Sequence, residues 1–173
     1  MRRSIAITFA MMLVCTGARA QEVPGIDRPR DEVATKLASI FHCRMRSGQY
    51  ASGCRSNPQG ASVGLSRNSD HDVFDTADFS LLIARRSGSP TAEERRAVEI
   101  VIDAIVYLAP SWPNASDWLR SAIEAAGQQR ACSYMKIDGV AVSIMPHRAA
   151  DTEGSFASIY VTRLFDLYSL CEY

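Results

Sequence analysis

Two long stretches of the chain carry apolar residues at intervals of three and four, which is the spacing of amphipathic helices. The first runs from Asp31, which can cap a helix start, to Gly48, which can end one. The second begins at the capping-box pair Thr91 and Glu94 and ends before Pro110. Apolar residues cover more than one side of this second stretch, so the pattern predicts that it lies at the centre of the core.

A third, shorter stretch of helical spacing covers residues 114–126. Elsewhere the period changes to two, which is typical of strands. The alternating runs span residues 61–66, 79–84, 131–137, 140–145 and 156–163. Asp138-Gly139 separates the third run from the fourth and favours a two-residue type I′ turn. The resulting hairpin register places Met135 on the same face as Val142.

The order of these elements is one helix, two strands, two helices and three strands. Hairpin connections outnumber helical crossovers in that order, so the sequence predicts an α+β fold with a mainly antiparallel sheet and the helices packed on one face. A run rich in Ser, Gly, Asn and Pro predicts a loop over residues 49–60. We expect residues 21–30 to be a flexible lead-in and residues 31–173 to form a single domain.

Residues 1–20 have the three parts of a secretory signal peptide. Arg2 and Arg3 supply the positive charge, an apolar run follows, and Ala-Arg-Ala at residues 18–20 offers a cleavage site. The apolar run is about ten residues long, well short of the roughly 20 that a membrane-spanning helix needs. The sequence therefore predicts a periplasmic or secreted protein without a membrane span.

The charge of the chain disfavours nucleic acid as a partner. The sequence has 19 basic and 19 acidic residues, and cleavage removes three arginines and no acids, so the formal charge falls from zero to −3. The arginines are spread along the sequence among carboxylates, whereas a phosphate backbone requires clustered cations. The same balance disfavours strong attraction to anionic lipid surfaces.

Four cysteines remain after cleavage, namely Cys43, Cys54, Cys132 and Cys171. In an oxidising compartment an even number predicts disulfides, and four cysteines allow three pairings. We favour Cys43 with Cys54 and Cys132 with Cys171, because each bond then links one half of the chain. A zinc site is disfavoured, since the sequence has no C-x-x-C or H-x-x-x-H spacing.

One segment fits a catalytic pattern. Gly60, Ser62 and Gly64 match G-x-S-x-G, with His71 or His147 as a candidate base. A nucleophilic serine of this kind needs a buried strand before it and a helix after it, and polar residues occupy both flanks. We favour a glycine-rich approach to an edge strand, and we assign no catalytic residue.

The densest group of candidate cation ligands is an acidic cluster of four carboxylates and one imidazole, namely Asp70, His71, Asp72, Asp75 and Asp78. An EF-hand counted from Asp70 would need glycine at its sixth position and glutamate at its twelfth, and neither is present. The alternative is a solvated loop whose aspartates form turns.

Aromatic and basic residues supply the remaining binding candidates. Four aromatic residues are expected to gather where the helices meet the hairpin, namely Tyr107, Trp112, Trp118 and Tyr134. They either fill the core or, at Trp112 and Tyr134, offer a surface to a protein or a glycan. Arg85 and Arg86 precede the second helix and form either an anion-binding corner or salt bridges to nearby glutamates.

These features together predict an exported protein that binds or modulates another envelope or extracellular molecule, with no catalysis and no cofactor of its own. The expected partner is a protein or a glycan. The alternative is a small envelope hydrolase or a divalent-cation-binding protein that uses residues 70–78.

Overall fold

The computed structural model describes residues 25–47, 51–56, 60–66, 73–84, 90–128, 132–137, 139–148, 154–163 and 171. The helices in these ranges are α1 (Arg30–Ile40), α2 (Ala92–Leu108) and α3 (Ala115–Gly127), and a 3-10 turn at Gly25–Asp27 precedes α1. The strands are β1 (Arg46–Ser47), β2 (Ala51–Arg55), β3 (Ala61–Ser66), β4 (Thr76–Ala84), β5 (Ser133–Ile137), β6 (Val140–Arg148) and β7 (Gly154–Thr162).

The strands form one seven-stranded antiparallel sheet in the order β1-β2-β3-β4-β7-β6-β5. The first four strands follow one another along the chain, and α2 and α3 then intervene. The last strand, β7, returns to the middle of the sheet and pairs with β4 along its full length. The predicted α+β fold with an antiparallel sheet is confirmed.

One face of the sheet carries the hydrophobic core. Val63, Phe79, Ile159 and Ile144 stand opposite one another on neighbouring strands, and all four are buried. Helix α2 packs on β3 and β4, α3 packs on β6 and β7, and α1 packs on α2. Just after α1, the ring of Phe41 stacks on that of Phe79 with centroids 6.1 Å apart.

Helix α2 begins at the predicted capping box. The Thr91 hydroxyl accepts a hydrogen bond from the Glu94 backbone N–H at 3.1 Å, and the Glu94 carboxylate accepts one from the Thr91 N–H at 2.6 Å. The helix ends at Leu108, and it buries the consecutive residues Ile100, Val101 and Ile102. Burial on more than one side confirms that α2 lies at the centre of the core.

The predicted end of the first helix is wrong. Helix α1 ends at Ile40 rather than at Gly48, because His42 adopts a left-handed conformation with φ of 50°. The His42 N–H donates to the carbonyl of Ser39, and the Cys43 N–H donates to that of Ala38. These two bonds form a Schellman motif, in which histidine occupies the position that glycine usually takes.

The predicted loop over residues 49–60 is also wrong in part, since strand β2 occupies Ala51–Arg55. In contrast, the hairpin register is confirmed, because Met135 faces Val142. Gly139 of the turn has φ of 87°, as a type I′ turn requires, while Asp138 lies outside the described residues.

Part of the expected lead-in packs on the body of the protein. Ile26 is fully buried, and the Asp27 carboxylate pairs with the guanidinium of Arg163 at 2.6 Å. A β-carbon on Gly25 would collide with the Tyr107 carbonyl oxygen, so this close approach requires glycine. Residues 1–24, which include the predicted signal peptide, lie outside the described residues.

Both favoured disulfide pairings are present, Cys43 with Cys54 and Cys132 with Cys171. The first links the end of α1 to β2, and the second links the residue before β5 to the C-terminal end of the chain. Among the helices that the structure describes, none is long and apolar enough to cross a membrane.

Candidate functional site

The face of the sheet opposite the helices is polar. Side chains on neighbouring strands that stand directly opposite one another share a face. One such row crosses four strands through Arg46, Gly53, Gly64 and Asp78. None of these residues belongs to the hydrophobic core cluster.

A second row on the same polar face runs parallel to the first, through Arg55, Ser62 and Ser80. The two serines are half-buried, and Arg55 is exposed. The two rows together give this end of the sheet a floor of small side chains between charged residues.

An open cavity of about 1240 Å³ lies over these rows, at the edge of the sheet formed by β1 to β4. We call it the edge groove. It is lined by the linker His42, Cys43, Arg44 and Met45, and by Arg46, Gly53, Cys54, Arg55, Ser62, Val63, Gly64, Asp78 and Ser80. Small-molecule sites typically enclose about 300–1,000 Å³, so the groove has room for a ligand of more than one ring.

The Cys43–Cys54 disulfide fixes the wall of the edge groove. Cys54 faces the core side of β2, opposite Val63, and the bond holds the linker from α1 against the sheet edge. The left-handed His42 turns the chain at the start of this linker. Both features place Arg44 beside Arg46, on the groove rather than on the helix side.

Glycines leave the floor of the edge groove bare. A β-carbon on Gly64 would meet only the carbonyl oxygen of Asp78, at 3.9 Å, which is an ordinary contact. On Gly53 it would lie 2.9 Å from the Val63 carbonyl oxygen, so that position requires glycine for packing reasons. The groove is therefore open above Gly64 and can be filled by a larger residue there.

Positive charge gathers along one side of the edge groove. Arg44, Arg46 and Arg55 all line it, and no carboxylate in the described part of the chain pairs with any of them. Elsewhere arginines do pair: the Arg120 guanidinium binds the Glu99 carboxylate at 2.8 Å, which lowers the pKa of that carboxyl. The groove thus gathers three arginines that form no ion pair within the described ranges.

The floor of the edge groove ends at Asp78. Its Oδ1 atom is buried and has no hydrogen-bond partner among the residues that the structure describes. Burial raises the pKa of the Asp78 carboxyl above its ordinary value, and the charge of His147 acts in the opposite direction. Oδ1 itself is covered, but the half-buried Asp78 side chain lines the groove, so its carboxylate can accept a hydrogen bond from a ligand there.

The catalytic pattern around Ser62 does not form a nucleophile elbow. Ser62 lies within β3, paired with Arg55 on one side and Ser80 on the other, rather than at a turn between a strand and a helix. The expected edge-strand position is also wrong, because β3 is the third strand of seven. Ser62 and Gly64 nevertheless line the edge groove.

The other candidates do not converge on a site. Of the acidic cluster, Asp75 and Asp78 are described, and Asp78 lines the edge groove, while Asp70, His71 and Asp72 lie outside, as do Arg85 and Arg86. The backbone of Asp75 bonds those of Ser66 and Arg163. Within the described ranges, no three His, Cys, Asp or Glu side chains are grouped as a metal site would require.

The expected gathering of aromatic residues is wrong. The Trp112 ring is buried against Trp118 with centroids 5.1 Å apart, and Tyr107 lies by α1, under Arg28 at 5.6 Å. Tyr134 lies on the polar face, opposite Ser143. Trp112 therefore fills the core, whereas Tyr134 belongs to the surface that carries the groove.

Fold and site together define an α+β protein with a cationic groove on the open face of its sheet. No protein-family model, curated protein or solved structure matches the chain. The function must therefore be argued from the groove itself.

Proposed function

We propose that the mature chain is an exported protein that binds another envelope or extracellular molecule in the edge groove, without catalysis of its own. The signal-peptide pattern of residues 1–20 and the two disulfides support a periplasmic or secreted location. The groove supplies the binding surface.

The observation that carries this proposal is a pre-formed cavity lined by three arginines that have no carboxylate partner among the described residues. The three arginines are Arg44, Arg46 and Arg55. The floor of the groove consists of glycine and serine residues and ends at Asp78, whose Oδ1 atom is buried. The three guanidinium groups are exposed and can bind an anion, and the Asp78 carboxylate can accept a hydrogen bond from the same ligand. A disulfide holds the cavity wall, which reduces the entropy lost on binding.

Export is tested by fractionating cells that produce the full chain with a C-terminal tag. We expect the tagged protein outside the cytoplasm, beginning at Gln21, with all four cysteines resistant to alkylation until a reductant is added. Recovery from the cytosol with Met1 still attached, or four alkylations without reductant, would contradict the proposal.

Binding in the groove is tested with Gly64→Val, which fills the space above the floor without touching a charge. Ser66→Val is the matched control, because Ser66 is exposed on the same strand and the same face but does not line the groove. We expect purified envelope fragments to retain the wild type and the control and to lose Gly64→Val. Equal retention of all three would place the binding surface elsewhere.

The alternative functions have their own readouts. Turnover of ester, glycan or peptide substrates that disappears in Ser62→Ala would identify a hydrolase. Calorimetric heat with calcium, zinc or copper that disappears in Asp75→Asn would identify a cation-binding protein. Either result would replace the proposal.

A further inference from the structure

We propose that the edge groove binds a polyhydroxylated anion, a saccharide that carries a carboxylate or a phosphate at one end. This inference rests on the proposed function and names the ligand class of the same site. The two ends of the groove differ in charge, and that difference specifies which chemistry fits each end.

The outer end of the groove recognises the anion. Arg46 stands on the edge strand β1 and Arg55 on the neighbouring strand β2, and Arg44 lies just before β1. A guanidinium presents a planar fork of donors that matches a carboxylate or a phosphate. Because these three groups have no carboxylate partner in the described part of the chain, an incoming anion displaces only water.

The inner end of the groove recognises hydroxyl groups. The half-buried carboxylate of Asp78 lines this end as an acceptor, and Ser62 and Ser80 line it with hydroxyls. A second anion would be repelled by Asp78, whereas a sugar hydroxyl donates to it. Arg46 and Asp78 stand on β1 and β4, three strand spacings or roughly 14 Å apart, so one sugar ring does not reach both.

The floor of the groove disfavours an acidic peptide. Peptides that bind to sheets commonly use the free backbone groups of an edge strand. On the floor of the groove, β3 is paired with both β2 and β4 over residues 62–66, so its backbone groups are already bonded to neighbouring strands. The groups left for a ligand are side-chain hydroxyls, guanidinium groups and one carboxylate, which suit a saccharide.

The test is calorimetric titration of the oxidised mature chain. Lactobionate provides the carboxylate source and trehalose 6-phosphate the phosphate source, with lactose as the neutral probe and triglutamate as the peptide probe. We expect at least one of the two anionic sugars to bind, more weakly as salt is raised, and lactose and triglutamate to bind at least about tenfold more weakly.

Two substitutions separate the ends of the groove. Arg46→Gln should weaken the bound anionic sugar about tenfold or more, while Arg96→Gln, the same change at an exposed position on α2, should leave it unchanged. Asp78→Ala should weaken the anionic sugar but not tripolyphosphate, since removing a negative charge favours a pure anion.

Three outcomes would overturn the ligand class. They are no binding of either anionic sugar, binding that Arg46→Gln leaves unchanged, and triglutamate binding as tightly as the sugars. If one of them occurs while retention by envelope fragments still depends on Gly64, the proposed function stands with a different ligand. If retention does not depend on Gly64, the proposed function itself fails.

Discussion

The two faces of the sheet, built from the same strands, differ in what their residues contribute. On the helix side, Phe79 and Ile159 are fully buried in the core. One residue along each strand, Asp78 and Tyr160 stand opposite each other on the polar side. The alternation of β-strands therefore separates two roles, since one face supplies stability and the other is free to carry a site.

The polar face also carries unsatisfied groups. Asp78 Oδ1 and Ser143 Oγ are buried on it without a hydrogen-bond partner in the described part of the chain. Native proteins keep such groups at a cost in stability. Of the two, Asp78 stands directly opposite Gly64 and lines the groove.

The largest effect should come from the core face. Phe79→Ala removes a buried ring that stacks on Phe41, and we expect it to lower the free energy of unfolding by about 3–5 kcal/mol. Ser80→Ala, next along β4 and facing the groove, should change it by less than about 0.5 kcal/mol. Urea denaturation measures both, and equal losses would contradict the division between the faces.

The two disulfides should separate stability from binding. In the chain-entropy account, removing Cys132–Cys171, with 39 residues of separation, costs about 4 kcal/mol. Removing Cys43–Cys54, with 11 residues of separation, costs about 3 kcal/mol. The test uses two double variants, in each of which both cysteines of one pair are replaced by serine. Unfolding and retention by envelope fragments are measured for both.

Removing Cys43–Cys54 should lower stability less than removing Cys132–Cys171 does, but it should lower binding more. The reason is that only Cys43–Cys54 holds the groove wall. Retention that survives without Cys43–Cys54, or that falls equally in both double variants, would show that the wall does not depend on that bond.

His42→Gly should raise the free energy of unfolding by about 1 kcal/mol, because glycine adopts the left-handed conformation without a steric penalty. Thermal unfolding measures the gain. A loss of stability instead would mean that the imidazole makes a contribution larger than the backbone strain it imposes.

Asp78→Asn should have the smallest effect, and that effect should depend on pH. Because the pKa of Asp78 is raised in the folded protein, its contribution to stability is full below the unfolded value of 3.8 and is lost as pH rises through the folded pKa. The variant should therefore be more stable than the wild type at neutral pH, with a difference that shrinks on acidification. A difference that grows in acid would contradict burial as the cause.

Local signals in the sequence predicted much of the fold. The capping box at Thr91 and the turn before Val140 each specify a backbone conformation within a few residues. Cysteine spacing led to the disulfide pairing. The end of α1 was not predictable in this way, because His42 takes a position that composition assigns to glycine.

The edge groove could not be predicted from local patterns. Arg46 and Asp78 are 32 residues apart in the sequence, and only the register of four strands places them in the same row. Strand β2 lies near the sheet edge and has little apolar alternation, so its pattern predicts a loop rather than a strand. The sequence does contain one signal of the groove. Gly53 and Gly64 lie within strands, where glycine often marks a close approach by a ligand or another backbone.

The most direct test of the account is to measure stability and binding together on Gly64→Val. The account predicts that retention by envelope fragments is lost while the free energy of unfolding stays at the wild-type value or rises, because a strand interior favours valine over glycine. Retention at the wild-type level, or a loss of binding that only follows a loss of stability, would contradict the claim that the polar face is the binding surface.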